Sequence, residues 1–400
     1  MSKISAYDRN SQIELQMLTI KHHSEDKILD ILPIMEQFVI YDDFLQPSIS
    51  AKLVIRDQIN LVGTLPIVGG EVVAIKYRTP IHDEVISLEF MVYKTEDREI
   101  PNGAENIQMN QLLLCTPEVW FSANVDAVSS YTGSYSDIID RMLKEIGTKK
   151  PLLKEDSIGI VDYVAPTINY FAAMKFCASR ANSNTRSPMF FWETTKGYRF
   201  KSLKELYRAA QFKFIYIEDR GVSGEDTDPE KTFNTVYSYD YRAGNNRLKQ
   251  FSQNAFGSDG INIDPINARM VKNNNSYDKM FNENDIKLNK FPLNDDAKDI
   301  RKTQSFTIFK NDQSHLNDFI KGAANVFMDN NRIYVNLPGD SNMQSGDVVW
   351  LDVPSKSALS IDKELHTSGK WFVRSIKHLI NKVTYSIVCE LTRDSFDVKV

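Results

Sequence analysis

Residues 70–75 read Gly-Glu-Val-Val-Ala-Ile and residues 346–351 read Gly-Asp-Val-Val-Trp-Leu, an offset of 276 residues. Each stretch opens on a glycine and an acid, which suits a tight turn, and runs into apolar residues suited to a strand. At the same offset Ile107–Phe121 lies over Val383–Asp397. Met109, Leu113 and Cys115 then match Tyr385, Cys389 and Leu391, while Thr116, Glu118 and Trp120 match Thr392, Asp394 and Phe396. Equal spacing from residue 70 to residue 121 favours a duplicated β-unit over the chance likeness of two hairpins. Val73 is expected to superpose on Val349, and Leu113 on Cys389.

The rest of the chain fits around that repeat. Residues 49–55 (ISAKLVI), 71–77, 85–94 (VISLEFMVYK) and 106–115 alternate with a period of two and predict strands. After Trp120 the period becomes helical. Ser134 and Ser136 can cap a helix whose stripe is Ile138, Ile139, Met142, Leu143 and Ile146, closed by Gly147. A second helix is predicted from Ile168 to Ala181 behind Thr167, then a hairpin of MFFWE (189–193) and YRFKS (198–202) and a helical turn, LKEL. Strands are predicted at 211–217 and 233–241, flanking an acidic loop from Asp219 to Lys231. The Asn-, Asp- and Lys-rich segment from Asn245 to Lys302 reads as surface loops with little core of its own. A helix from Gln313 to Met328 precedes strands at 332–337, 347–353, 371–377 and 383–391. The expected fold class is therefore α+β, mainly β. Residues 1–118 form one antiparallel β-barrel, and residues 206–243 with 303–400 form a second. Residues 119–205 and 244–302 form an inserted α/β middle domain.

At 400 residues the chain exceeds one compact core. Hydrophobic residues make up 42% and charged residues 25%, a globular balance. The net charge of −5 argues against a surface built to grip nucleic acid. Cys115, Cys177 and Cys389 lie far apart, which fits a reducing compartment rather than a disulfide framework or a cysteine-rich zinc site. Neither a signal-peptide core nor an apolar run of membrane-spanning length is present, so the expectation is a soluble protein made in a cytoplasm, with no membrane anchor.

No HExxH, GxSxG, Walker or Rossmann glycine motif occurs in the sequence. Neighbouring residues on a strand point to opposite faces, so His22-His23 is poorly placed to share a metal. His366 and His378 read as satisfied surface residues near strand ends, and Asp42-Asp43 and Asp295-Asp296 as solvated turns. Cys177, within an apolar helix, reads as a small buried hydrophobe rather than a nucleophile. No catalytic, metal or cofactor-binding residues are assigned. The 22 Phe, 17 Tyr and 4 Trp read mainly as core, with some left for subunit contacts.

Three stretches have a likeness: Leu337-Pro338-Gly339-Asp340, then Gly346 through Pro354, then Gly369-Lys370-Trp371-Phe372-Val373 with His378. In this order they resemble the baseplate hub protein of contractile-tailed bacteriophages, a family that includes the hub-like half of type VI secretion spike proteins. Tyr170–Arg180 with the hairpin FFWETTKGYRFKSLKEL is similar to its middle domain, as is Gly257 with Asp264. The resemblance runs from residue 13 to residue 397. It implies two tube-type barrels per chain and a homotrimer that presents six barrels to the sixfold tail tube and three equal positions to the central spike protein. The implied partners are the tail tube protein, the spike, other baseplate proteins and the tape-measure protein. Genomic DNA would cross a central channel without specific binding, through a bore of acidic and neutral polar side chains. The chain stops at Val400, so a separate spike chain is expected, held without a long C-terminal tail. The competing readings are a tail-associated cell-wall hydrolase, which needs a positioned acid pair or a partnered histidine, and a carbohydrate-binding tail module, which needs exposed aromatic platforms.

Overall fold

A computed structural model describes residues 12–22, 28–57, 67–99, 108–185, 187–208, 210–216, 233–243, 247–253, 255–264, 268–276, 285–292, 303–307, 314–354, 364 and 367–396. The first third supplies strands β1 (Glu14–Lys21), β2 (Ile28–Asp30), β3 (Met35–Asp43), β4 (Ser50–Asp57), β5 (Val72–Arg78), β6 (Ile86–Glu99) and β7 (Gln108–Cys115). Alternation dictates their burial: Ala51, Leu53 and Ile55 point inward from β4, as do Val73, Ile75 and Tyr77 from β5. They associate in the order β2-β1-β5-β6-β7-β4-β3, every pair antiparallel. Four of these strands answer the expectations; β1, β2 and β3 were not among them.

The middle segment contains helix α1 (Tyr135–Ile146), capped by Ser134 and closed by Gly147 at φ 79°, as its sequence demands. Helix α2 (Tyr170–Arg180) starts later than predicted, behind Asn169, whose side chain accepts from the Ala172 amide. Ile168 and Asn169 instead pair with Ala127 and Asp126. The hairpin is β8 (Met189–Thr194) and β9 (Gly197–Ser202), with all six β8 residues buried.

Strands β10 (Phe212–Tyr216), β11 (Thr235–Val236) and β12 (Ser238–Ala243) follow. The acidic loop, Asp219 to Lys231, lies outside the described residues. In the Asn-rich segment the structure departs from expectation. It forms an antiparallel pair, β13 (Gly257–Asp264) and β14 (Arg269–Ser276), and it buries Ala255, Phe256, Ile286 and Leu288. A few apolar anchors suffice there because they dock on the core beneath helix α3 (Ser314–Asn330) instead of building one of their own.

The chain ends in β15 (Asn331–Pro338), β16 (Val348–Asp352), β17 (Gly369–Ile380) and β18 (Tyr385–Thr392). Their order with the preceding strands is β11-β10-β16-β17-β18-β15-β12, position for position that of the first seven. The fold is mainly β, with two halves of one strand order and an α/β insertion. One strand breaks the match: β10 runs parallel to β16, whereas β1 runs antiparallel to β5.

Candidate functional site: the joint between the two halves

The likeness extends to individual hydrogen bonds. Gly70 and Gly346 take positive φ, 93° and 86°, a backbone conformation that favours glycine. The Gly70 amide donates to the Val92 carbonyl at 2.8 Å, and the Gly346 amide to the Val373 carbonyl at 2.8 Å. In return Val92 N–H donates to Glu71 O at 2.9 Å, and Val373 N–H to Asp347 O at 2.8 Å. The acids cap both turns: Val68 N–H donates to Glu71 Oε1 at 3.0 Å, and Gln344 N–H to Asp347 Oδ2 at 2.9 Å. One residue further on, β6 bulges at Tyr93 against β7, and β17 bulges at Arg374 against β18.

The bulge fixes the alignment, and it corrects one expected pair. Val73 does match Val349, both buried. Because Leu114 pairs with Val92 and Leu391 with Val373, the partner of Cys389 is Leu112 and not Leu113. Leu112 and Cys389 are both fully buried, whereas Leu113 points the other way. A one-residue slip exchanges the faces of a strand, so burial decides the register. The Thr-x-acid-x-aromatic likeness falls with it: Pro117–Asn124 is a helix and Ser395–Phe396 a strand.

The halves meet where β17 leaves its own neighbours. Residues Ser375–Ile380 pair antiparallel with Asp43–Phe38 of β3, and Phe44 N–H extends the ladder to the Arg374 carbonyl at 2.9 Å. Phe44 then stands between all three parts of the molecule. Its ring centroid lies 4.7 Å from Phe190 and 4.8 Å from Trp192 of the middle hairpin, and 4.9 Å from Phe372 of β17.

Polar groups finish the joint. Trp192 Nε1–H donates to Ser345 O at 3.2 Å, while Ser345 donates to Asp42 through Oγ at 2.5 Å and its amide at 3.2 Å. Arg199 of β9 reaches Asp347 at 3.0 Å and also holds Gln344. Lys150 bridges Glu118 at 2.7 Å and Glu193 at 2.6 Å, and Glu193 accepts from Ser48 at 2.6 Å. Burial pushes Asp42 up to about 7 against the pull of the Ser345 bonds. Burial likewise raises Glu193 despite Lys150, whereas at Glu118 burial is overcome by Lys150 together with the Thr148 hydroxyl and a backbone bond, which hold the carboxyl below its usual range. Burial also raises Asp347 against Arg199.

Two expectations are corrected here. Asp42 is no solvated turn residue but fully buried in β3, and His378 is fully buried in β17, between Ile40 and Ile387. His378 Nδ1 lies 2.7 Å from the Tyr385 hydroxyl, and burial drops the imidazole to about 4. Both sit where two sheets become one, which no local pattern announces. Asp43 remains half-buried, accepting from Leu45 N–H at 2.8 Å. His22 is buried; His23, His366, Asp295 and Asp296 lie outside the described residues. Cys177 is buried, its thiol pushed up to about 12. A cavity of about 700 Å³ lies between the middle segment and the second half, lined by Glu155, Glu205, Arg208, Lys287 and Lys370 among others. Glu155 there accepts from Ser202, and Arg208 pairs with Glu205. No group of three metal-ligating side chains forms among the described residues. Sequence reasoning passed over Phe44, Trp192 and Arg199. The unbroken apolar run of MFFW, covered on both faces, was the available signal.

Two laterally joined copies of one β-unit with a docked α/β insertion make up a fold that recurs in solved tail proteins. A tail protein of Neisseria meningitidis MC58 shares it at a TM-score of 0.55, with 11% identity over 94% of this chain and 96% of that one. The 43 kDa tail protein of prophage MuSo2 from Shewanella oneidensis does so at 0.56, with 10% identity over 94% and 98%. No family model matches the chain. At the level of sequence it is similar to the probable baseplate hub protein gp334 of Vibrio phage KVP40, 22% identical over 389 residues that cover 89% of each chain. The resemblance to baseplate hub proteins read from the residues is thus met again in a curated relative.

Proposed function

We propose that the chain is a structural baseplate hub, a homotrimer that adapts the sixfold tail tube to the threefold central spike. The observation that supports it is the double occurrence of one unit, joined side by side within a single chain. Two units taken three times give six similar positions for a tube and three equal ones for a spike. In this reading residues 1–118 are one unit and residues 206–243 with 303–400 the other. Residues 119–205 and 244–302 lie outside the ring or at its spike-facing end. The tail tube protein, the spike, other baseplate proteins and the tape-measure protein are its partners, and genomic DNA passes through an acidic and neutral bore. The protein belongs to the virion tail, is assembled in the host cytoplasm and performs no catalysis. Light scattering behind gel filtration should give three times the mass of the chain, and negative-stain images a ring. A dimer, an open helical array or a bore lined with lysine and arginine overturns the reading. So does a hydrolytic activity on peptidoglycan that one substitution abolishes.

A further inference from the structure

The joint between the halves has one partner inside the chain and an unused counterpart outside it. Within the chain β17 of the second half receives β3 of the first. The counterpart of β17 is β6, matched through the Tyr93 and Arg374 bulges. The counterpart of β3 is β12: Phe38 pairs with Leu53 and thence Leu112, and Tyr239 with Val335 and thence Cys389. Among the described residues β12 pairs only with β15, and β6 beyond Tyr93 only with β7. An edge of this kind is a template for another strand. Tyr93, at the head of this edge, is 52% exposed.

We infer that β6 of one chain pairs antiparallel with β12 of a second copy, repeating between chains the ladder that β17 and β3 form within one. This rests on the trimeric reading above and specifies its contact. The register follows from the internal joint. Lys377 faces Tyr41 there, its Nζ 5.9 Å from the ring, and Ile376 faces Asp42. Translated to the counterparts, Glu96 faces Arg242 and Thr95 faces Ala243. The charges fit, an acid against a base. Each now bonds within its own strand, Glu96 to Lys94 at 2.5 Å and Arg242 to Asp240 at 3.1 Å, and Arg242 also stacks on Tyr334 at 4.9 Å. The two exposed pairs can therefore join into one four-charge group without burying an unpaired charge. Three joints inside chains and three between them make six of one kind, the condition for a near-sixfold ring.

Charge reversal and cross-linking test the pairing. R242E should weaken trimerisation about tenfold or more, as a like charge facing Glu96 predicts, and E96R with R242E should restore it. T95C with A243C, oxidised, should yield a covalent trimer on a non-reducing gel, with neither single variant nor wild type doing so. A wild-type trimer that R242E leaves intact and the cysteine pair fails to cross-link overturns the pairing and spares the trimer. A protein that stays monomeric at every concentration overturns both.

Discussion

At Gly70 and at Gly346 the chain turns with the same three hydrogen bonds, yet the two turns have different neighbours. The first carries Glu71, which caps the turn from within. The second has its acid shared with Arg199 and its glycine pressed beneath Trp192. The same contrast recurs at the edges. β17 has taken β3 as a further partner, whereas β6 has only β7 along the matching stretch among the described residues. A duplicated unit thus keeps its internal bonds and changes its outer contacts. The second copy is the one around which this chain is assembled.

The sharpest way to break that comparison is to remove what the second copy gained. Trp192→Ala empties a fully buried site where three parts of the molecule meet, and should cost about 3–5 kcal/mol of unfolding free energy in a denaturant titration. A loss under ~1 kcal/mol would mean that the hairpin does not brace the joint. Asp42 gives the next effect, because its counterpart in β12 is Ala243. With its folded-state pKa raised from 3.8 to about 7, the contribution of Asp42 is complete below about pH 4 and is lost as pH rises through 7. His378, lowered to about 4, has the opposite sign: its contribution is complete above its ordinary 6.5 and is lost as pH falls. Asp42→Asn keeps an acceptor for Ser345 and removes one of these two opposed terms. The stability of wild type relative to the variant should therefore fall between pH 4 and 7, by up to about 1.4 kcal/mol per unit. A difference flat with pH would place Asp42 in water.

The repeat was legible because a positive-φ turn capped by its own acid needs a Gly followed by Glu or Asp, and few other residues serve. Strand β4 was legible for a similar reason, with Ile49, Ala51, Leu53 and Ile55 all on the core side. The Leu113 pairing went astray because Leu112, Leu113 and Leu114 are equally apolar; only the bulge at Tyr93 fixes which of them faces inward. The joint itself was hidden. Asp42 and His378 acquire their burial from strands more than 300 residues away, and Phe44 from rings of the middle hairpin and of β17, so their own neighbourhoods look like a turn, a strand end and a loop. Asn-rich β13 failed for a related reason: its partner strands and the core beneath it come from elsewhere in the chain.

The two turns can be compared directly. Gly70→Ala and Gly346→Ala both place a Cβ at positive φ, at a shared cost of about 1–2 kcal/mol. At Gly346 that carbon would also meet Trp192, at 2.6 Å from Cζ2. Gly346→Ala should be the more destabilising by roughly 1–3 kcal/mol, the range for overpacking a core. In a double-mutant cycle Trp192→Ala should remove that excess, and equal losses at both glycines would show that the indole yields freely.

The smallest effect lies at Lys377 and separates a joint inside a chain from one between chains. Its ammonium approaches the Tyr41 ring at 5.9 Å on a half-exposed surface, worth about 0.5–1 kcal/mol. Lys377→Ala should lower stability by no more than that, since β3 and β17 are tethered by one chain and pinned by Phe44. Glu96 holds the matching place in β6. Its substitution by Ala should leave monomer stability essentially unchanged, as surface changes usually do. It should act instead on assembly, where no covalent tether supplies the high effective concentration that the internal joint enjoys. Thermal unfolding of dilute monomer and the mass at rising concentration read the two separately. If Lys377→Ala weakens assembly as much as Glu96→Ala does, the two joints are not versions of one contact.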